Sequence, residues 1–130
     1  MKENTQRGTE TILYVEDDPM VRKLNLTILE RLGYRVLLAE DGPAALALAD
    51  EFDGTLDMLI TDVVMPEMNG EELSRRIRGM CPQIKILFTS GYTEDIIAPR
   101  GVLENGTHFL SKPYRPTQLA EKVRGILDDE

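Results

Sequence analysis

Acidic side chains follow two apolar runs of strand length in this sequence. Glu16 and Asp17 come directly after the run at 12–15, and Asp62 follows the run at 58–60. If these runs are parallel strands of one sheet, the carboxylates meet at its carboxyl edge, where open α/β sheets place their chemistry. Carboxylates held close together repel one another unless a hard cation neutralises them. The acids therefore predict a magnesium site, with Asp17 and Asp62 as direct ligands and Glu16 behind them.

A hydroxyl and an ammonium group follow two later apolar runs. They belong to Ser90 and Lys112, which the same sheet edge would bring to the acids. An ammonium can pair with a carboxylate and then with phosphoryl oxygens, and a carboxylate can act as the nucleophile that forms an aspartyl phosphate. Thr89 has the same hydroxyl chemistry as Ser90, and strand alternation predicts that only one of them faces the site. The group as a whole predicts phosphoryl transfer to Asp62.

Each of these residues also fits a simpler role when it is considered alone. The acids at 16–18 fit a solvated turn that caps a helix, which for Asp18 is the better interpretation. Asp62 alone fits a turn or a helix N-cap, and most lysines are solvated surface residues. The functional prediction depends on finding all of them at one sheet edge.

The elements that would position these residues alternate along the chain. Helix start signals stand at Asp18-Pro19, Asp41-Gly42-Pro43 and Asn69-Gly70, and Gly33 is placed to end the first helix. Five strand-like and about five helix-like segments in alternation predict a doubly wound parallel sheet with helices on both faces. The apolar residues at helical spacing are Val21, Leu24, Ile28 and Leu32 in the first helix, and Leu119, Val123 and Ile126 in the last.

A weaker helix is predicted over 93–103, because Pro99 removes a backbone donor and Gly101 lowers helix propensity. We expect this helix to be short or distorted and its surroundings mobile. The predicted domain covers 11–128, preceded by a polar N-terminal extension at 1–10.

Composition limits the classes of function. The 130 residues, of which 42% are hydrophobic, suit one domain with one core. A formal charge of −8, from 15 basic and 23 acidic residues, disfavours direct contact with nucleic acid. Cys81 has no second cysteine with which to form a disulfide, and no stretch has the length and composition of a signal peptide core or a membrane span. We expect a cytoplasmic protein that does not insert into membranes.

The sequence resembles the receiver domain of two-component response regulators, from about Thr11 to Leu127. The matching stretches are VEDD at 15–18, TDVVMPEMNG at 61–70, TSG at 89–91 and SKP at 111–113. Each is weak alone, and the four in this order are specific. The segment at 91–114 looks most like receivers attached to hybrid sensor histidine kinases. The chain is expected to be such a receiver or a stand-alone single-domain regulator.

The resemblance implies a five-stranded sheet of order 2-1-3-4-5 and a role for each matching residue. It implies that Asp62 is the phosphoacceptor, Glu16 and Asp17 the acidic pair, Val64 the carbonyl ligand of the metal, Ser90 the switch hydroxyl, Lys112 the phosphate-pairing lysine with a cis bond to Pro113, and Phe109 the switch aromatic. For Phe109, plain core packing fits equally well.

The activity implied by the resemblance is that of a switch, not of a turnover enzyme. Asp62 would take a phosphoryl group from the phosphohistidine of a histidine kinase or histidine phosphotransfer domain, in a Mg²⁺-dependent reaction that changes a partner-binding face. The domain would be a monomer or a weak dimer that forms on phosphorylation. Two alternatives stay open: a magnesium-dependent phosphatase, which would want a second acid where Val64 stands, and a pseudo-receiver that binds partners without phosphorylation.

Overall fold

The protein forms a single parallel sheet with helices packed on both faces. The computed structural model describes residues 8–91 and 107–128. Within them the elements are β1 (Thr11–Val15), α1 (Pro19–Arg31), β2 (Arg35–Ala39), α2 (Gly42–Glu51), β3 (Met58–Asp62), α3 (Gly70–Met80), β4 (Lys85–Ser90), β5 (Thr107–Ser111) and α4 (Pro116–Asp128).

The five strands lie in the order β2-β1-β3-β4-β5, and every neighbouring pair is parallel. This order confirms the predicted doubly wound fold. About five helices were expected, and the described residues contain four. The weak helix predicted over 93–103, with Pro99 and Gly101, lies outside them. The predicted domain limits stay a prediction, since residues 1–7 and 129–130 are also outside.

Each predicted helix start uses the side chain that the sequence offers. The Asp18 carboxylate accepts from the backbone N–H groups of Met20 and Val21, the Asp41 carboxylate accepts from Ala44, and the Asn69 side chain accepts from Glu72. Gly33 follows α1 with a φ of 101°, a left-handed conformation that costs glycine little. The three N-caps fix where the loops at the carboxyl edge of the sheet end and the helices begin.

The core has two layers, one on each face of the sheet. Leu13, Leu59 and Ile86 pack on the side of α2 and α3, whereas Ile12 and Ile60 pack on the side of α1 and α4. The alternation follows from the period of two along a strand, and strands covered on both faces are continuously apolar. Among the described helices, none combines the length and apolarity needed to cross a membrane.

The buried face of α1 differs from the predicted one. The apolar spacing predicts one face that includes Leu24, but Leu24 is 57% exposed, while its neighbour Asn25 is only 2% exposed. The amide of Asn25 donates hydrogen bonds to the phenol oxygens of Tyr14 and Tyr114, which offset the cost of burying it. Apolar periodicity cannot predict a buried polar side chain whose partners are distant in sequence.

Candidate functional site

The carboxyl ends of the strands bring the predicted residues to one cavity. Glu16 and Asp17 follow β1, Asp62 ends β3 and Lys112 follows β5. Because the strands are parallel, these ends lie at one edge of the sheet. The cavity has a volume of about 310 Å³. It is lined by Glu16, Asp17, Asp18, Asp62, Val64, Thr89, Ser90, Gly91 and Lys112.

Three acids face one another in this cavity. One carboxylate oxygen from each of Glu16, Asp17 and Asp62 lies within 4.8 Å of the others, with Glu16 and Asp62 buried and Asp17 exposed. Burial, followed by the hydrogen bond and the charge of Asp62, raises the pKa of Glu16 to about 7. All three donors are carboxylate oxygens, the ligand type that Mg²⁺ prefers, and their mutual repulsion is what a cation would relieve. The residues present therefore fit a magnesium ion.

Lys112 partly neutralises the acids. Its Nζ lies 2.7 Å from Oδ1 of Asp62 and 3.0 Å from Oε1 of Glu16. Burial by itself would lower the pKa of Lys112, but the hydrogen bonds and charges of Asp62 and Glu16 outweigh it and raise the pKa. The raised pKa keeps the ammonium group charged, and because the side chain is 26% exposed it can also meet a group that enters from solvent.

Both hydroxyl residues of β4 line the cavity, where strand alternation had predicted that one would. Thr89 donates from Oγ1 to Oδ1 of Asp62 at 2.8 Å, and Ser90 is 4% exposed on the cavity wall. The same Asp62 oxygen therefore accepts from Thr89 and from Lys112. The sequence predicts Thr89 only as an alternative to Ser90, although Thr89 is the direct partner of Asp62 in the β3–β4 register.

Helix α1 supports the acidic turn in a way that the sequence did not reveal. Arg22 donates from Nη1 to the backbone oxygen of Glu16 at 2.8 Å, and the Asp18 N–H donates to Oε2 of Glu16 at 3.1 Å. Nothing in the residue types singles out Arg22 from other arginines on helix surfaces. Arg22 is six residues after Glu16 in the sequence and about one turn into α1. This separation is the only signal that could have suggested the contact.

The remaining predicted residues lie around the same edge. Val64 is 52% exposed on the cavity wall, and the Lys112–Pro113 peptide bond is cis, as the resemblance implied. Phe109 is 8% exposed and packs in the core on the α2 and α3 side. That packing fits the simpler of the two interpretations given for it. The metal-binding carbonyl of Val64 and the switch role of Phe109 stay predictions.

This arrangement of strands, acids and lysine defines a class of signalling domain. The chain belongs to the response regulator receiver domain family, because the sequence model of that family matches residues 12–124. Receiver domains are the phosphorylation-based switches of two-component systems, not conventional turnover enzymes.

Two curated relatives differ greatly in size. The sensor kinase CckA of Brucella abortus (strain 2308) is 40% identical over 123 residues, which are 95% of this chain but 13% of CckA. The response regulator receiver protein CpdR of the same strain is 34% identical over 116 residues, 89% of this chain and 95% of CpdR. The match thus spans a small part of one relative and nearly all of the other.

Solved structures agree with this assignment. The receiver domain from the hybrid histidine kinase CckA superposes with a TM-score of 0.79 at 40% identity, covering 91% of this chain and 99% of that one. Chemotaxis protein CheY4 of Vibrio cholerae gives a TM-score of 0.81 at 29% identity, covering 92% of this chain and 99% of that one.

Proposed function

We propose that this domain is a switch that is activated when Asp62 accepts a phosphoryl group from the phosphohistidine of a histidine kinase or histidine phosphotransfer domain. One observation carries the proposal. The Asp62 side chain is 7% exposed at the carboxyl edge of the sheet, with the Lys112 ammonium at 2.7 Å and two further acids beside it. A buried carboxylate with an adjacent ammonium in an acidic cavity suits transfer of a highly charged group.

The proposed transfer exchanges one bond to phosphorus for another. An oxygen of the Asp62 carboxylate forms a bond to phosphorus as the bond from phosphorus to the donor imidazole nitrogen breaks, and that nitrogen keeps the electron pair. Lys112 pairs with the phosphoryl oxygens as their charge develops. A magnesium ion held by Asp17, Asp62 and the Val64 carbonyl would supply further neutralisation of those oxygens.

The readout follows from the contacts that phosphorylation would replace. Lys112 is shared between Asp62 and Glu16, and a phosphoryl group on Asp62 offers it stronger acceptors. Ser90 would turn its hydroxyl toward the same oxygens. Phe109, paired with Phe88 between β4 and β5, would then move into the vacated space. The face formed by β4, β5 and α4 would change its affinity for partners.

The domain would catalyse only its own phosphorylation and dephosphorylation, in the cytoplasm, as a monomer or a weak dimer, without direct contact to nucleic acid. A phosphatase is disfavoured because the second acid it would want is Val64 here. A pseudo-receiver is disfavoured because Asp62, Lys112 and the acidic pair meet in one cavity.

Mass spectrometry of the intact chain tests the proposal. The chain is incubated with acetyl phosphate and Mg²⁺, with and without a chelator, alongside Asp62→Asn and Asp53→Asn variants. Asp53 is exposed and does not line the cavity. We expect one added phosphoryl group that requires Mg²⁺, persists in the Asp53 variant and disappears in the Asp62 variant. No adduct on the unaltered chain would favour the pseudo-receiver instead.

A further inference from the structure

A buried amide on α1 connects the two sides of the site. Asn25 donates from Nδ2 to the phenol oxygen of Tyr14 at 2.8 Å and to that of Tyr114 at 2.7 Å. Tyr14 lies in β1, two residues before Glu16, and Tyr114 lies two residues after Lys112. One side chain therefore joins the strand that leads into the acids to the loop that carries the lysine.

The surroundings of Asn25 are those of an apolar core. Tyr14 belongs to the buried cluster between the sheet, α1 and α4, together with Leu29, and Tyr114 packs against that cluster. A leucine in place of Asn25 would suit such surroundings, whereas an amide costs free energy unless its N–H groups are bonded. Burial raises the pKa of both phenols, so they are neutral and the network does not titrate near neutral pH.

The bond to Tyr114 lies at the wall of a cavity. A cavity of about 200 Å³ lies between α1 and the loop after β5. It is lined by Val21, Leu24, Asn25, Lys112, Pro113 and Tyr114. Tyr114 packs against the core cluster beside this cavity, but apolar packing is non-directional and does not by itself fix the orientation of the loop against the helix. The hydrogen bond of Asn25 supplies a directional tie at this point.

A second side chain on α1 makes the matching tie to the other half of the site. Arg22, three residues before Asn25 and therefore on the same side of the helix, donates to the backbone oxygen of Glu16. One helix face thus holds the acidic turn through Arg22 and the lysine loop through Asn25. Lys112 and Glu16, which these ties position, are 3.0 Å apart.

We propose that Asn25 is a positioning residue for phosphoryl transfer: by holding Tyr114 against α1, it keeps Lys112 directed at Asp62 and Glu16. This inference rests on the proposed function, because it assigns Asn25 a part in that reaction. Misplacing a charged group by even a fraction of its hydrogen-bond length weakens the stabilisation it gives to a transition state.

Two matched tyrosine variants test the proposal. Tyr114→Phe and Tyr14→Phe each remove one phenol oxygen and leave one N–H of Asn25 without that acceptor, but only the first releases the lysine loop. We expect Tyr114→Phe to lower the rate constant for phosphorylation by acetyl phosphate at saturating Mg²⁺ about fivefold or more, with Tyr14→Phe within about twofold of the unaltered domain. Thermal midpoints are expected to fall similarly in both. Mg²⁺ affinity, measured by calorimetry, is expected to change less than about twofold in either variant.

A double variant separates the tie from a general loss of packing. Asn25→Leu and Tyr114→Phe act through the same bond, so the combination is expected to phosphorylate no more slowly than the slower single variant. Tyr114→Phe at the unaltered rate, or equal slowing by both tyrosine variants, would overturn the inference while the proposed function stands. Failure of the unaltered domain to label would overturn both.

Discussion

Thr89 donates its hydroxyl hydrogen to Oδ1 of Asp62 at 2.8 Å, and the two residues are direct partners in the β3–β4 register. The same oxygen lies 2.7 Å from the ammonium of Lys112. One carboxylate oxygen is thus held by two donors, and the other is engaged by neither of them. Asp62 is therefore fixed in one orientation before any phosphoryl group arrives.

Thr89→Val tests whether this orientation matters. Valine keeps the shape of threonine but leaves the buried Asp62 carboxylate with one donor fewer, so we expect a loss of about 1–2 kcal/mol in the free energy of unfolding. Phosphorylation by acetyl phosphate should slow about three- to tenfold, because the acceptor oxygen is less well directed. Thr89→Ser restores the hydroxyl and should recover most of the lost stability and most of the lost phosphorylation rate. A valine variant that labels as fast as the unaltered domain would show that Lys112 alone orients Asp62.

The close approach of Gly70 to the end of β3 gives a second prediction. A Cβ built on Gly70 would collide with the backbone oxygen of Asp62, and the Gly70 N–H donates to the Val63 oxygen at 2.7 Å. Gly70→Ala must push α3 away from the strand that carries the acceptor. We expect a loss of about 2–4 kcal/mol in urea unfolding, together with slower phosphorylation.

Gly79 is the matched control for this substitution. It lies in the same helix, and a Cβ there would meet nothing within 4 Å. Gly79→Ala should therefore stabilise the domain by about 0.5–1 kcal/mol through helix propensity. If Gly70→Ala behaved like Gly79→Ala, the contact with Asp62 would not be what requires glycine at position 70.

The loop between β3 and α3 holds one strained residue. Glu67 has a φ of 69° and is exposed, so a glutamate occupies a left-handed conformation that suits asparagine better. Glu67→Asn should raise the free energy of unfolding by about 0.5 kcal/mol, and Glu67→Val should lower it by about 1 kcal/mol or more. The reverse order of stability, measured by urea unfolding, would mean that another contact of Glu67 decides the conformation.

The sequence predicted most of the fold because its local signals and its hydrophobic pattern agree. Asp18, Asp41 and Asn69 each precede a helix and each accept backbone hydrogen bonds at its start. Strand ends could be located from the apolar runs, and parallel pairing then placed Asp62 and Lys112 together. Acids, hydroxyls and lysine at strand ends could therefore be predicted as one site.

The parts that sequence could not predict are polar contacts between distant residues. Asn25 is buried because Tyr114, 89 residues away, accepts its hydrogen bond, and Thr89 bonds Asp62 across 27 residues. Such partners depend on strand register and on the rotation of a helix about its axis. Apolar spacing alone puts Leu24 on the predicted apolar face of α1, whereas the next residue, Asn25, is the one that is buried.

The ion pair between Glu10 and Arg124 predicts a dependence of stability on pH. Nη2 of Arg124 lies 2.6 Å from Oε2 of Glu10, and this ion pair joins the residue before β1 to α4. The hydrogen bond from Arg124, the largest influence, lowers the pKa of Glu10, although burial opposes it. Because the folded-state pKa lies below the unfolded one, the pair stabilises the fold fully above the unfolded pKa. Its contribution is lost as the pH falls through the folded pKa.

Glu10→Gln should therefore reduce the free energy of unfolding by about 1 kcal/mol near pH 7, and this difference should shrink toward zero as the pH falls through the folded-state pKa of Glu10. Asp128→Asn is the control, since Asp128 also pairs with Arg124 but its side chain is 64% exposed. Exposure and screening should limit its cost to less than about 0.5 kcal/mol. Urea unfolding of the three proteins across this pH range measures both differences. A Glu10→Gln difference that stayed constant down to low pH would show that shape, not charge, accounts for the role of Glu10.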